Sequence, residues 1–240
     1  MANQEERFFL PELIVLDLDN TLWTPELYQL NPKRGPPKAR KDIQLFPDVP
    51  LVFQSIQRLR QHHLDDPTAT GSVVVPKWAV ASRAQNEDWA LQLLKEFSIP
   101  KDSIIDNNNN SSKNKKKSNK DAATIPLMPD LIDPDLIVIE GGTKKFPLQL
   151  LREQTGIPYH KMMFLDDWIV NLEEVAQLGV LSCHCPNGLT WDIFCDSLEY
   201  YHALKTKDGD DAWVGYVYDL SLIHISEPTR LRRISYAVFC

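Results

Sequence analysis

The chain has 240 residues, 43% of them apolar, and a formal charge of -7: long enough for one well-buried domain and short for two. The acidic balance removes any general electrostatic reason to bind nucleic acid or an anionic membrane, and no apolar run approaches the length of a membrane span. Met1 to Leu10 carries Glu5, Glu6 and Arg7 before Phe8-Phe9-Leu10 and lacks the apolar core of a signal peptide, so a soluble cytoplasmic monomer is expected.

Along the chain, five short apolar or β-branched runs alternate with segments of helical periodicity. Predicted strands cover Leu13 to Asp17, Trp78 to Ser82, Leu136 to Glu140, Met162 to Asp166 and Val180 to His184. Predicted helices cover Val49 to Gln61, Glu87 to Phe97, Phe146 to Gln154, Ile169 to Leu178 and Trp191 to Leu204. That alternation is the signature of βαβ units, so an α/β fold with a three-layer doubly wound, Rossmann-like parallel sheet is expected, without a large cap domain. The domain is expected to occupy residues 1–219.

Three regions fall outside the pattern. Thr24 to Gln44, with Pro25, Pro32, Pro36 and Pro37 among basic residues, reads as a flap over the end of the first strand. Asp106 to Lys120 is polar and low in complexity, with nothing to bury, and reads as a disordered insertion. Leu220 to Cys240 matches the translation of a sequencing-library adapter in one reading frame, and no function is assigned to it. Cys183, Cys185, Cys195 and Cys240 form no CxxC pair, and Cys183-His184-Cys185 lacks a second half spaced for zinc. Thiols in a reducing compartment are the expectation.

Chemistry concentrates where strands end. In LDLDNTLW at 16 to 23, Asp17 and Asp19 stand two positions apart just past an apolar run. Two like charges this close are costly unless a cation binds them or one keeps a proton, which points to a metal site or an acid/base pair rather than an ordinary Asx turn. In a doubly wound sheet the ligand lies beyond the carboxyl ends of the strands, which makes Asp17, Ser82, Glu140 and Asp166 the informative positions.

These motifs resemble those of haloacid-dehalogenase-superfamily phosphatases, and within that group they are most similar to the magnesium-dependent phosphatase 1 family. The resemblance rests on LDLDNTLW, LFPDVP at 45 to 50, VASR at 80 to 83, GGTK at 141 to 144 and TGIPYHKMMFLDD at 155 to 167. It spans roughly Leu13 to Leu204, apart from the Asn/Lys-rich insertion.

The resemblance implies a phosphomonoesterase using Mg2+. Asp17 would be the nucleophile forming an aspartyl-phosphate, a role suited to an ionised carboxylate at a strand end. Asp19 would protonate the leaving oxygen and later deprotonate the attacking water, with its backbone carbonyl on the metal. Thr21 would orient the loop, and Ser82, Arg83 and Lys144 would contact the phosphoryl group or substrate. Ser82 also suits a helix N-cap. Lys145 is adjacent to Lys144 and stays open as the alternative. The expected metal ligands are Asp17, Asp19 and Asp166, with Asp167 behind them.

One position departs from the family: Trp168 stands where a Glu usually follows the two aspartates. Phosphotyrosine, protein-bound sugar phosphates and small sugar phosphates are the implied substrates. Another phosphohydrolase or phosphotransferase acting on a small metabolite is the nearest alternative. A receiver-like module or an inactive pseudo-phosphatase is the non-enzymatic one.

Overall fold

Residues 13–16 are Leu-Ile-Val-Leu, all fully buried, and a strand buried on both sides must have layers on both faces. The structure, a computed structural model, describes residues 8–65, 74–101 and 124–219. The Asn/Lys-rich insertion and the segment from Leu220 to Cys240 lie outside the described residues.

In chain order, β1 (Leu13–Leu16) is followed by an antiparallel pair, β2 (Trp23–Thr24) and β3 (Gln44–Leu45), that closes the flap at its base. Then come α1 (Val49–Asp65), β4 (Lys77–Ser82), α2 (Glu87–Glu96), and a second antiparallel pair, β5 (Ser98–Pro100) with β6 (Thr124–Pro126). The remainder is β7 (Ile132–Ile139), α3 (Lys145–Thr155), β8 (Met162–Asp166), α4 (Ile169–Ala176), β9 (Leu181–His184), α5 (Trp191–Asp208) and β10 (Val217–Tyr218).

Six strands form one parallel sheet in the order β10-β9-β8-β1-β4-β7. The chain winds outward from β1 through β4 to β7, then returns to the other side of β1 and continues outward through β8, β9 and β10. The reversal falls between β1 and β8, so their carboxyl ends frame the crevice where such sheets bind ligands. Side chains alternate strictly across the sheet. Ile14, Leu16, Val80, Met163 and Leu165 join a core built with α1, α2 and α5, through residues such as Val52, Leu93 and Phe194. Leu13, Val15, Ala79, Ala81, Met162 and Phe164 join the opposite core, with Leu148 and Leu151 of α3 and Leu172 and Val175 of α4.

The expected fold is observed, with differences in detail, among them the two short antiparallel pairs, which no predicted strand covers. The sixth strand, β10, was not anticipated because two residues are too short to show alternation. It docks beside β9, with Ser182 donating its backbone N–H to the Tyr216 carbonyl at 2.9 Å. Strand β7 begins at Ile132 rather than Leu136. Its register with β4 passes from Trp78↔Ile132 to Val80↔Ile137, so Asp133-Pro134-Asp135 sits in a bulge whose proline reads as a strand breaker. Helices α1 and α5 run on to Asp65 and Asp208, through turns in which the only apolar residue, Leu64, is exposed.

The flap is pinned rather than free. Leu27 and Ile43 are buried in the larger core, Ala39 donates its N–H to Glu96 Oε2 at 3.0 Å, and Arg40 Nη2 donates to the Ser98 carbonyl at 2.9 Å. No helix among the described residues is long and apolar enough to cross a membrane. Cys183, Cys185 and Cys195 are buried.

Candidate active site

Strand β1 delivers Asp17 to the crevice. Its backbone N–H still donates to the Leu165 carbonyl at 2.9 Å, although the regular ladder ends at Leu16. The chain then turns sharply, with the backbone N–H groups of Thr21, Leu22 and Trp23 all converging on the Leu18 carbonyl. Asn20 takes the left-handed conformation at φ 58°, a region where Asn is among the tolerated residues, and its amide donates to Glu26 Oε1 at 2.7 Å.

That turn fixes Asp19. The Trp23 indole donates to its Oδ1 at 2.7 Å and the Leu27 N–H to its Oδ2 at 3.2 Å. Burial pushes the Asp19 carboxyl up to about 6, against the pull of those two donors. Thr21 is fully buried. Its carbonyl accepts from the Leu189 N–H at 2.9 Å, while its hydroxyl has no partner among the described residues, so it is the backbone that ties the turn down.

Strand β8 brings Asp166 and Asp167 opposite. Asp166 is fully buried; its Oδ1 accepts from the Trp168 N–H at 2.8 Å, and the Asn171 amide donates to both carboxylate oxygens at 2.9 Å. Burial, then the nearby Asp17 charge, raise the Asp166 carboxyl. Asp167 is half-buried and pushed up to about 7, by burial first and then by Asp166 and Asp17. His184 lies between the Asp219 carboxylate and the Asp167 carbonyl, 3.0 Å from each.

Ligand oxygens of Asp17, Asp166 and Asp167 lie within 4.8 Å of one another. A single buried ammonium answers them. Lys144, 1% exposed, places Nζ 2.5 Å from Asp17 Oδ1, 2.6 Å from the Ala81 carbonyl and 3.3 Å from Asp166 Oδ2. One positive charge against three crowded carboxylates leaves a surplus of negative charge in a poorly solvated place, and the raised carboxyls are its signature. The donor set is all oxygen, and the Asn171 Oδ1, buried without a partner among the described residues, adds one more acceptor. Such a set fits a hard divalent cation.

The sequence-predicted residues converge on this cleft: Asp17, Asp19, Ser82, Arg83, Lys144 and Asp167 all line it. The two candidate lysines diverge, since Lys145 Nζ turns away to Gln177 Oε1 at 2.6 Å. The metal-competent cluster takes in the side chain of Asp167 but not that of Asp19, which is committed to Trp23 and Leu27. Ser82 is buried and its hydroxyl accepts from the Ala84 N–H at 3.3 Å; it is not the cap of α2, a place held by Asn86, whose side chain accepts from Trp89 at 3.0 Å.

Three contributors were missed from the sequence. Asn171 sits on the buried side of α4 among Leu172, Val175 and Ala176, and a buried amide requires a partner, which was the available signal. The Trp23 indole carried the same signal, being a buried N–H donor. His184 gave none, because Asp219 lies 35 residues away.

Comparison with known proteins finds sequence relatives for this chain. The profile of the acid phosphatase family matches residues 9–203. The chain is 26% identical over 205 residues to human magnesium-dependent phosphatase 1, covering 82% of this chain and 90% of the relative. A crystal structure of the N-terminal part of a Bacteroides fragilis protein, containing a phosphatase domain complexed with Mg, aligns at 19% identity and a TM-score of 0.41. That alignment covers 80% of this chain but spans only 39% of the bacterial one.

Proposed function

The chain belongs to the acid phosphatase family, and from that premise we propose that residues 1–219 form a magnesium-dependent phosphomonoesterase acting through an aspartyl-phosphate on Asp17. The observation that carries this reading is the set of Asp17, Asp166 and Asp167 around the buried Lys144 ammonium at the switch point of the sheet. Magnesium would be held by Asp17, Asp166 and the Asp19 carbonyl, with Asp167 alongside. When bound it would offset charge on the phosphoryl oxygens and on the carboxylates around them.

The chain's own residues supply the rest. A carboxylate oxygen of Asp17 attacks phosphorus as the bond to the ester oxygen breaks, and Asp19 delivers its proton to that departing oxygen. Asp19 then takes a proton from the water whose oxygen attacks the same phosphorus, releasing phosphate and restoring the Asp17 carboxylate. Lys144 balances the charge that gathers on the phosphoryl group, and Ser82 and the backbone after it offer hydrogen bonds. Thr21 holds the turn, and Arg83 stands at the rim. The substrate is a phosphorylated small molecule or a phosphoprotein, with phosphotyrosine, protein-bound sugar phosphates and small sugar phosphates as the classes to screen. The protein meets it as a cytoplasmic monomer.

Phosphate release from an aryl phosphate tests the reading. Metal-stripped protein is expected to regain at least tenfold activity, roughly, on addition of Mg2+. Equal rates with and without metal would remove the magnesium dependence, and no release from any ester in the screen would remove the phosphatase.

Asn171 makes a separate expectation. Asn171→Ala removes the amide that donates to both oxygens of Asp166 and leaves it the Trp168 N–H and Lys144, so Mg2+ affinity by calorimetry is expected to fall by about 10 to 100-fold. An unchanged affinity would mean that the amide serves packing alone.

A further inference from the structure

The rim of the cleft holds a second cation that none of the steps above requires. The Arg83 guanidinium carbon lies 4.6 Å from the centre of the Trp168 ring, and Arg83 Nη1 reaches the Gly142 carbonyl only at 3.4 Å. Arg83 forms no ion pair among the described residues. Trp168 is 49% exposed and lines the cleft beside Arg83. A cation–π contact holds the guanidinium through the ring without using its N–H groups. Apart from Nη1, which reaches Gly142, those N–H groups are left for an anion.

Position tells what that anion belongs to. Arg83 and Trp168 line the same cleft as Asp17, Ser82 and Lys144, so an anion on Arg83 belongs to the molecule whose phosphate is held there. The flap adds Glu26 and Tyr28 to the lining of the same cleft. A carboxylate there repels a negative group and turns it toward Arg83.

Resting on the phosphatase reading, we propose that Arg83, held in place by Trp168, forms a leaving-group subsite. It selects phosphate monoesters that carry a second anionic group. Trp168 acts as a positioning residue and Arg83 makes the contact.

The test compares phenyl phosphate with 4-carboxyphenyl phosphate in wild type, Arg83→Gln, Trp168→Phe and Trp168→Glu. The ratio of kcat/KM values is read for each protein, so that intrinsic reactivity cancels between proteins. The wild-type ratio is expected to exceed that of Arg83→Gln by about tenfold in favour of the carboxylate. Trp168→Phe should keep the preference, because a ring face remains, and Trp168→Glu should erase it, because a carboxylate then occupies the guanidinium. Calorimetry with benzylphosphonate and 4-carboxybenzylphosphonate gives a readout that needs no turnover. If the carboxylated phosphonate binds more tightly only with Arg83 present while no ester is hydrolysed, the phosphatase reading fails and the subsite stands. Equal ratios in wild type and Arg83→Gln, a preference for rings regardless of charge, or no binding of either phosphonate would each overturn the subsite.

Discussion

Asp17→Asn is expected to lower aryl phosphate turnover by about 10⁴-fold or more while leaving the fold intact. The exchange keeps the shape of the side chain and its Oδ1, so the Lys144 ammonium retains an acceptor there, together with the Ala81 carbonyl and Asp166 Oδ2. On the proposed mechanism, what is lost is the negative charge that would attack phosphorus. The same exchange removes one of three crowded carboxylates, so a thermal melt in EDTA should show a Tm equal to or above that of the wild type. Phosphate release measured beside that melt separates lost chemistry from lost structure. Residual activity above about one part in a hundred in a folded variant would show that Asp17 is not the nucleophile.

Lys144→Met should act on both stability and rate. The ammonium is buried and touches two of the three acids, so its removal leaves an uncompensated cluster of negative charge away from water. Breaking a buried pair from one side costs about 3 to 5 kcal/mol, seen as a lower denaturation midpoint in EDTA. A divalent cation can take over part of that neutralisation, so Mg2+ should raise the Tm of Lys144→Met by more than it raises that of the wild type. Turnover at saturating Mg2+ should still fall by about 10² to 10³-fold, because the charge on the transferring group loses its fixed partner. A variant as stable as wild type in EDTA would mean that the acids do not burden the fold.

The architecture was legible because β1, β4 and β8 are apolar runs that stop abruptly at Asp17, Ser82 and Asp166, and periodicity marks such runs well. The site followed from it, since strand ends at a switch point must meet. What stayed hidden was hidden for physical reasons. Neighbouring residues at a helix start point in different directions, so only coordinates show Lys144 entering the cluster while Lys145 leaves for Gln177. Strand β10 is set by its partner β9 rather than by its own two residues. Asn171 grips Asp166 from five residues on, a contact that depends on where α4 begins, and helix starts are blurred in a sequence whose cap, Trp168, has no capping side chain.

The anchoring of Asp19 has a mechanical consequence. Asp17 belongs to the sheet, but both oxygens of Asp19 are tied to the base and first turn of the flap, through Trp23 and Leu27. The proposed nucleophile and the proposed acid are thus mounted on different parts of the molecule, one in the sheet and one looped. Insertions or deletions in the flap change the aim of the acid before they change what can enter the cleft. Among descendants of such a chain, flap length and leaving-group chemistry would have to drift together.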